Sequence, residues 1–185
     1  MEAIIISGLP ASGKSTVAKI LAQKLKVKAV NVGDIIKSRF HEAGKTASNF
    51  WDTSKGFVAL KEREKNEEID KSIDKAVLKI ISKGNIVIAS YVMPWLSKHG
   101  YKVWLDASPE ERAKRLAKRD KVSIQTAREI IKKRDKENFM LYKKLYNIRI
   151  GKDKKPFDLV IETEKLSPSE IVEIIIKGIR HKKQK

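Results

Sequence analysis

The chain has 185 residues, of which 41% are hydrophobic and 35% charged, a composition that supplies enough apolar residues for the core of one domain. This composition excludes intrinsic disorder and collagen-like repeats, and the absence of cysteine excludes disulfides and thiolate metal sites. The formal net charge of +18 attracts polyanions such as nucleotides or nucleic acid, although a lysine-rich solvated surface explains much of it equally well. We expect a single domain over residues 1–185.

The predicted elements alternate between strands and helices. Short runs rich in β-branched residues are typical of strands buried on both faces, and apolar residues at helical spacing indicate helices between them. In chain order, the pattern predicts strand 3–7, helix 14–25, strand 27–32, helix 34–40, an irregular insert 45–56, helix 67–83, strand 86–90, strand 101–106, helical residues 108–146, strand 157–162 and a helix from 167. Such alternation predicts an α/β fold with a parallel sheet and helices on both faces.

The loop after the first strand carries the most specific motif of the chain. It fits G-x-x-x-x-G-K-[ST] and lies between a strand and a helix, which is the context that this phosphate-binding motif requires. Its glycines let the backbone N–H groups point at phosphate oxygens, and the helix that follows adds its positive end. Lys14 is expected to contact the β- and γ-phosphates, and the Ser15 hydroxyl to ligate Mg²⁺. The predicted nucleotide-binding residues are Gly8, Leu9, Pro10, Ala11, Ser12, Gly13, Lys14, Ser15 and Thr16.

Five further blocks follow this loop in order: 32–37, 68–74, 83–88, 104–109 and 157–163. Together with the loop, they resemble the archaeal-type cytidylate kinases, small members of the nucleoside monophosphate kinase group. The resemblance implies a P-loop fold of three layers, α/β/α, in which the middle layer is a five-stranded parallel sheet. It also implies a helical insert over about 34–82 that binds the acceptor nucleotide, and a helical, arginine-rich lid within about 119–150.

In that lid, the resemblance implies a catalytic role for Arg119, Arg128 or Arg134. A guanidinium there would offset the charge that builds on the equatorial oxygens of the transferred phosphoryl group. Each of the three arginines fits a solvated helix face equally well.

In the insert, we predict that the acceptor is bound by Asp34, Lys37, Arg39 and Asp70. Asp34 could orient the Mg²⁺ shell or the acceptor, or simply cap its helix. Lys37 and Arg39 could bind the acceptor phosphate. Asp70 and Asp74 share one helix face, and the resemblance places this helix beside the acceptor base; alternatively, the two aspartates pair with lysines one turn away. Three aromatic residues could stack on a base or pack a small core: Phe50, Trp51 and Tyr91.

The chain differs from the usual family pattern at positions that bind the acceptor or the transferred phosphate. Ala89-Ser90-Tyr91 stands where family members carry Glu-Gly-Arg, and Lys37 stands where they carry arginine. In the lid, Leu141 replaces an arginine before Tyr142, and Asn147 replaces a glycine.

The predicted function is therefore that of an ATP- and Mg²⁺-dependent kinase of a nucleoside monophosphate, with CMP or dCMP as the first candidates. One alternative is a kinase for AMP, another small phosphorylated metabolite or a nucleic-acid 5′ end. A second alternative is a nucleotide-binding regulatory protein with little transfer activity. No window resembles a membrane helix and the first residues lack a signal peptide, so we expect a cytoplasmic monomer or small homo-oligomer without a membrane partner.

Overall fold

The computed structural model describes residues 1–40 and 50–184 of the chain. The elements within these ranges are β1 (Ile4–Gly8), α1 (Lys14–Leu25), β2 (Lys28–Asn31), α2 (Val32–Ser38), a 3₁₀ turn (Phe50–Asp52), α3 (Ser54–Lys65), α4 (Glu67–Ser82), β3 (Ile86–Ala89), α5 (Met93–Leu96), β4 (Tyr101–Asp106), α6 (Pro109–Asp120), α7 (Ile124–Tyr146), β5 (Leu159–Glu162) and α8 (Pro168–Lys183). No helix in this part of the chain is both long and apolar enough to cross a membrane.

The five strands form one parallel sheet in the order β2-β3-β1-β4-β5. Alternate residues of each strand face opposite sides of the sheet. Ile4 and Ile6 therefore pack in one hydrophobic cluster with α1 and α8, whereas Ile5 packs in a second cluster on the other face. That second cluster contains buried residues of α2, α4 and the end of α7. The predicted α/β fold, with a five-stranded parallel sheet as the middle of three layers, is thereby confirmed.

The carboxyl ends of the three strands β2, β3 and β1 lie at one edge of the sheet. Asn31 at the end of β2 is in register with Ala89 of β3, which is in turn in register with Ile6 of β1. The phosphate-binding loop, the start of α2 and the residues after β3 therefore meet at this edge, where ligands bind in open α/β sheets.

The region after β2 differs from its prediction. Helix α2 begins at Val32, and Asn31 caps it by accepting a hydrogen bond from the Gly33 amide at 3.1 Å, so Asp34 is in the first turn and is not the cap. The predicted irregular insert, 45–56, contains the 3₁₀ turn and the first residues of α3, for which Thr53 is the cap. The predicted segment from residue 41 to 49 lies outside the described residues.

The predicted helical stretch from 108 to 146 consists of two helices. Lys121 adopts left-handed backbone angles (φ 55°) after α6, and the Ser123 side chain caps α7 by accepting from the Thr126 amide at 3.0 Å. A non-glycine residue rarely ends a helix in this way, which is why the sequence pattern did not reveal the break. The two helices pack on each other through Leu116 and Ile131.

Candidate active site

A cleft of about 500 Å³ opens at the carboxyl edge of the sheet. The phosphate-binding loop forms one end of it, and the start of α2, the 3₁₀ turn and α3 contribute to the other. The residues after β3 and the helices α6 and α7 complete the walls. Residues from distant parts of the chain therefore share one concave site.

The loop is shaped by two glycines with positive φ, Gly8 (153°) and Gly13 (95°). A Cβ atom on Gly8 would lie 2.5 Å from both the Leu105 carbonyl oxygen and the Ser12 hydroxyl, so no side chain fits there. Behind the loop, the buried Ser12 hydroxyl has no hydrogen-bond partner among the residues described. Because the loop lies this close to the sheet, only glycine fits at position 8, and the loop that follows lines the cleft.

Lys14 lines the cleft at the start of α1. Its amino group donates to the Leu9 carbonyl oxygen at 2.8 Å and lies 4.4 Å from the centroid of the Tyr91 ring. Burial, followed by the positive charges of Arg134 and Arg112, holds the pKa of Lys14 well below its usual value. A phosphate group entering the cleft would stabilise the charged form of Lys14, because it adds the negative charge that this environment lacks.

Ser15 and Asp34 provide hard oxygen atoms beside the loop. The Asn31 amide nitrogen donates to the Ser15 hydroxyl oxygen at 3.1 Å, while the exposed Asp34 carboxylate forms an ion pair with Lys37 at 2.9 Å. Both oxygen groups line the cleft, and such donors fit Mg²⁺, which takes few protein ligands beside substrate phosphates. Among residues 1–40 and 50–184, no three His, Cys, Asp or Glu side chains form a metal-binding group.

Two of the three predicted lid arginines meet at Asp52, a residue that sequence reasoning missed. Arg134 donates to the Asp52 carboxylate at 2.6 Å and to the Tyr91 hydroxyl at 3.3 Å. Arg119 also donates to Asp52, and to Asp120 at 2.6 Å. Asp52 is only 3% exposed, so its carboxylate anchors both guanidinium groups at the cleft.

The third lid arginine and one predicted insert residue lie elsewhere. Arg128 donates to both carboxylate oxygens of Glu110 at 2.9 Å and does not line the cleft. Arg39 is exposed just after α2 and also does not line it. For Arg128, this arrangement matches the alternative of a solvated helix face.

On the insert side of the cleft, Arg63 of α3 is the main residue that the sequence did not reveal. It is 3% exposed, lines the cleft, and donates through Nε and Nη2 to the two carboxylate oxygens of Asp70 at 3.0 and 2.6 Å. The Tyr142 hydroxyl accepts a further bond from Nη2 at 3.2 Å. Lys37, which is 7% exposed, lines the same cleft.

Neither of the two α4 aspartates forms the lysine pair that was one of the two interpretations of the sequence. Asp70 pairs with Arg63, and Asp74 accepts a hydrogen bond from the Tyr146 hydroxyl at 2.5 Å. Both carboxylates are buried, and burial raises the pKa of Asp74 to about 6. Asp70 does not itself line the cleft but positions the arginine that does.

Of the three aromatic residues considered for stacking, Trp51 and Tyr91 line the cleft. Phe50 is buried and packs edge-on against Trp51, with 5.0 Å between ring centroids. The Arg63 guanidinium lies 5.5 Å from the Trp51 ring centroid. The aromatic group therefore combines a core residue with two cleft residues.

Two arginines of α6 support the phosphate-binding loop from behind and were not predicted. Arg112 donates to the Pro10 carbonyl oxygen at 3.3 Å and forms a two-pronged ion pair with Asp135 at 2.9 and 2.7 Å. Arg115 donates to the Ser12 carbonyl oxygen at 3.4 Å and to both oxygen atoms of Thr163 at 2.9 and 2.8 Å. The basic composition of α6 is thus partly explained by contacts that fix the loop.

The parallel sheet and its phosphate-binding loop define the P-loop kinase fold. A solved shikimate kinase from Acinetobacter baumannii, in complex with shikimate, shares this fold with a TM-score of 0.64 at 19% identity, covering 100% of this chain and 96% of that one. The shikimate kinase from Bacteroides thetaiotaomicron gives a TM-score of 0.57 at 18% identity, covering 100% and 99%. At these identities the likeness concerns the fold alone.

The model of the cytidylate kinase-like family matches residues 3–165, and the chain belongs to this family. A cytidylate kinase from Sulfurisphaera tokodaii is 39% identical over 93% of this chain and 92% of its own length. Those from Ignicoccus hospitalis and Pyrococcus horikoshii are 36% and 34% identical over 95% and 96% of this chain, and over 97% and 88% of their own lengths. The resemblance found in the sequence is confirmed.

Proposed function

We propose that this chain transfers the γ-phosphoryl group of ATP to CMP, giving ADP and the cytidine diphosphate. The single observation that carries the proposal is that one cleft combines the P-loop with the buried cations Lys37 and Arg63 on its insert side. Relatives that are named cytidylate kinase align with nearly the whole chain and support CMP as the acceptor, with dCMP as its nearest analogue.

Catalysis requires positioning and charge stabilisation, because the acceptor phosphate is already an anion and needs no strong base. Lys14 binds the β- and γ-phosphates of ATP, and the backbone of residues 8–13 surrounds them. Arg134 and Arg119 stabilise the transferred group once the incoming phosphate competes with Asp52 for their guanidinium groups. Loss of any of these cations therefore slows transfer.

Ser15 and Asp34 would hold Mg²⁺ in this reaction. When bound, the ion neutralises charge on the β- and γ-phosphates. Asn31 fixes the Ser15 hydroxyl by donating to it, so the remaining lone pair of that oxygen can be presented to the cleft.

The insert over about 34–82 and the lid within about 119–150 are part of the proposal. Asp52 from the insert pairs with Arg119 and Arg134 from the lid, which supports a closing contact between the two. A single domain over 1–185, a cytoplasmic location, a monomer or small homo-oligomer and any contact with nucleic acid stay predictions.

A different acceptor is the second candidate, and Tyr91 is the observation that favours it. Tyr91 occupies the position of the family's arginine, and its hydroxyl contacts Arg134. An acceptor such as AMP or another small phosphorylated metabolite would then replace CMP.

The test is a competition assay with γ-labelled ATP, Mg²⁺ and equimolar CMP, dCMP, UMP, AMP, GMP and a 5′-hydroxyl RNA oligonucleotide. We expect labelled CDP or dCDP to form fastest and the Lys14→Ala variant to form almost none. Label on AMP or RNA would support the second candidate, and ATP binding without transfer to any acceptor would contradict both.

A further inference from the structure

The end of β3 offers no cation to an acceptor phosphate. The residues there are Ala89-Ser90-Tyr91, none of which is basic, and the Tyr91 side chain contacts Lys14 through its ring and Arg134 through its hydroxyl. A nucleoside monophosphate carries about two negative charges near neutral pH, so its phosphate needs cationic partners from elsewhere in the cleft.

Arg63 has the geometry to supply one of them. Asp70 and Tyr142 occupy Nε and Nη2, whereas Nη1 forms no hydrogen bond to any residue in the described ranges. The side chain is 3% exposed and lines the cleft. One edge of the guanidinium is therefore fixed, and the remaining amino group is available to a ligand.

Lys37 provides a second cation in the same cleft. Its side chain is 9% exposed, and it forms an ion pair with Asp34 at 2.9 Å, whose own side chain is 59% exposed. A solvated carboxylate competes weakly for a buried amino group, because water screens it. An anionic ligand in the cleft can thus share Lys37 with little loss to Asp34.

A buried ion pair with only a structural role brings little stability, because desolvation of both charges offsets their attraction. The Arg63–Asp70 pair is better explained by its orientation than by its energy. The carboxylate holds the planar guanidinium in one position, and such preorganised donors bind phosphate oxygens with small loss of side-chain entropy.

We propose that Arg63 binds the phosphate of the acceptor nucleotide through Nη1, together with Lys37, and that Asp70 and Tyr142 position it. Arg63 thereby supplies a cation that the end of β3 does not provide. This inference rests on the proposed function, since it assigns a ligand to the acceptor side of the same cleft.

The test compares two variants with wild type, Arg63→Gln and the double variant Arg63→Gln/Asp70→Asn. The double variant keeps a neutral hydrogen-bonded pair, so it removes the buried charge that a single change would leave unpaired. We expect both variants to raise KM for CMP by about 10- to 100-fold, the range of one charged hydrogen bond, and to leave KM for ATP within about twofold. Arg128→Gln, outside the cleft, is the matched control and leaves both KM values unchanged.

Calorimetry measures how much the phosphate of CMP contributes to binding. We expect wild type to bind CMP more tightly than cytidine, and we expect Arg63→Gln to remove most of that difference while the affinity for cytidine is unchanged. Arg63→Lys, which keeps the charge and the fold but not the planar donor pair, is expected to recover part of it. These measurements need no phosphoryl transfer.

A double variant with the wild-type KM for CMP would overturn the inference, because a merely structural pair is restored by the neutral substitution. Equal rises in KM for CMP and ATP would also overturn it. Either result with an active wild type leaves the proposed function intact. A wild type that transfers nothing to CMP contradicts the proposed function instead, and CMP binding no tighter than cytidine contradicts the role of Arg63.

Discussion

The two ends of the cleft are built in different ways. The donor end is a single loop of consecutive residues, 8–16, in which backbone N–H groups and one lysine meet the phosphates. The acceptor end is assembled from α2, the 3₁₀ turn, α3, the residues after β3 and α7, and each element contributes one or two side chains. Donor binding is therefore a local property of the chain, whereas acceptor binding depends on the tertiary fold.

This difference means that the acceptor end can be built from other side chains more easily than the donor end can. Backbone groups present the same donors whatever the side chains are, so the loop tolerates change only where its conformation allows it. Side-chain cations can be supplied from any element that borders the cleft, and in this chain α3 places Arg63 where β3 ends without one.

The largest effect is expected at the donor end. Replacing Lys14 with alanine removes the charge that stabilises the transferred phosphoryl group, and we expect kcat to fall by about 10³-fold. The loss should be the same for CMP and dCMP, because these acceptors differ only in the ribose, whereas Lys14 acts on the phosphates of the donor. Initial rates with both acceptors measure it, and Lys19→Ala on the exposed face of α1 is the control. A loss that depends on the acceptor would contradict the separation of the two ends.

At the junction of insert and lid, Asp52→Ala should reduce the free energy of unfolding by about 3 kcal/mol, since it leaves the buried Arg134 without its carboxylate partner. Urea denaturation measures the change. Asp153→Ala, at an exposed position, is the control. A change below about 1 kcal/mol, the value of an exposed pair, would show that the contact does not join the two segments.

The buried Asp74 of α4 gives the stability of the fold a pH dependence. Its pKa is raised from 3.8 to about 6, mainly by burial, so the folded state binds a proton more tightly than the unfolded state does. Wild type therefore loses stability from this group as pH rises between these values, by at most about 3 kcal/mol.

In the Asp74→Asn variant this loss disappears, so its stability relative to wild type should increase from pH 4 to about pH 6 and then level off. Urea titrations at several pH values measure the difference, with the exposed Glu68→Gln as control. A constant difference across this pH range would show that Asp74 ionises normally.

The smallest effect is expected from Lys37→Ala, which should raise KM for CMP by about 10-fold, the value of one charged contact, and leave KM for ATP unchanged. Arg39→Ala is the matched control, because Arg39 lies two residues further on and outside the cleft. If Arg39→Ala gives the larger change, the acceptor end is wrongly assigned.

The features of the fold and of the site differ in how directly the sequence predicts them. The apolar strands, the phosphate-binding loop and the amphipathic α4 each carry a local pattern, so the sequence predicts them directly. Arg63 and Asp70 lie on different helices, and Asp52 contacts arginines more than sixty residues away, so only the folded chain brings them together. Helix α3 escaped prediction because its residues, from Ser54 to Lys65, are largely polar and lack a clear apolar stripe.

The two ends share one cleft, in which we propose that the donor and acceptor phosphates meet. The most direct measurement is the affinity, by calorimetry, of a ligand in which adenosine and cytidine are joined 5′ to 5′ through five phosphates. We predict that it binds at least about 100-fold more tightly than ATP or CMP alone, because joining the two removes much of the entropy lost on binding separately. The gain should disappear in both Lys14→Ala and Arg63→Gln. A two-ended ligand that binds no more tightly than ATP would contradict the claim.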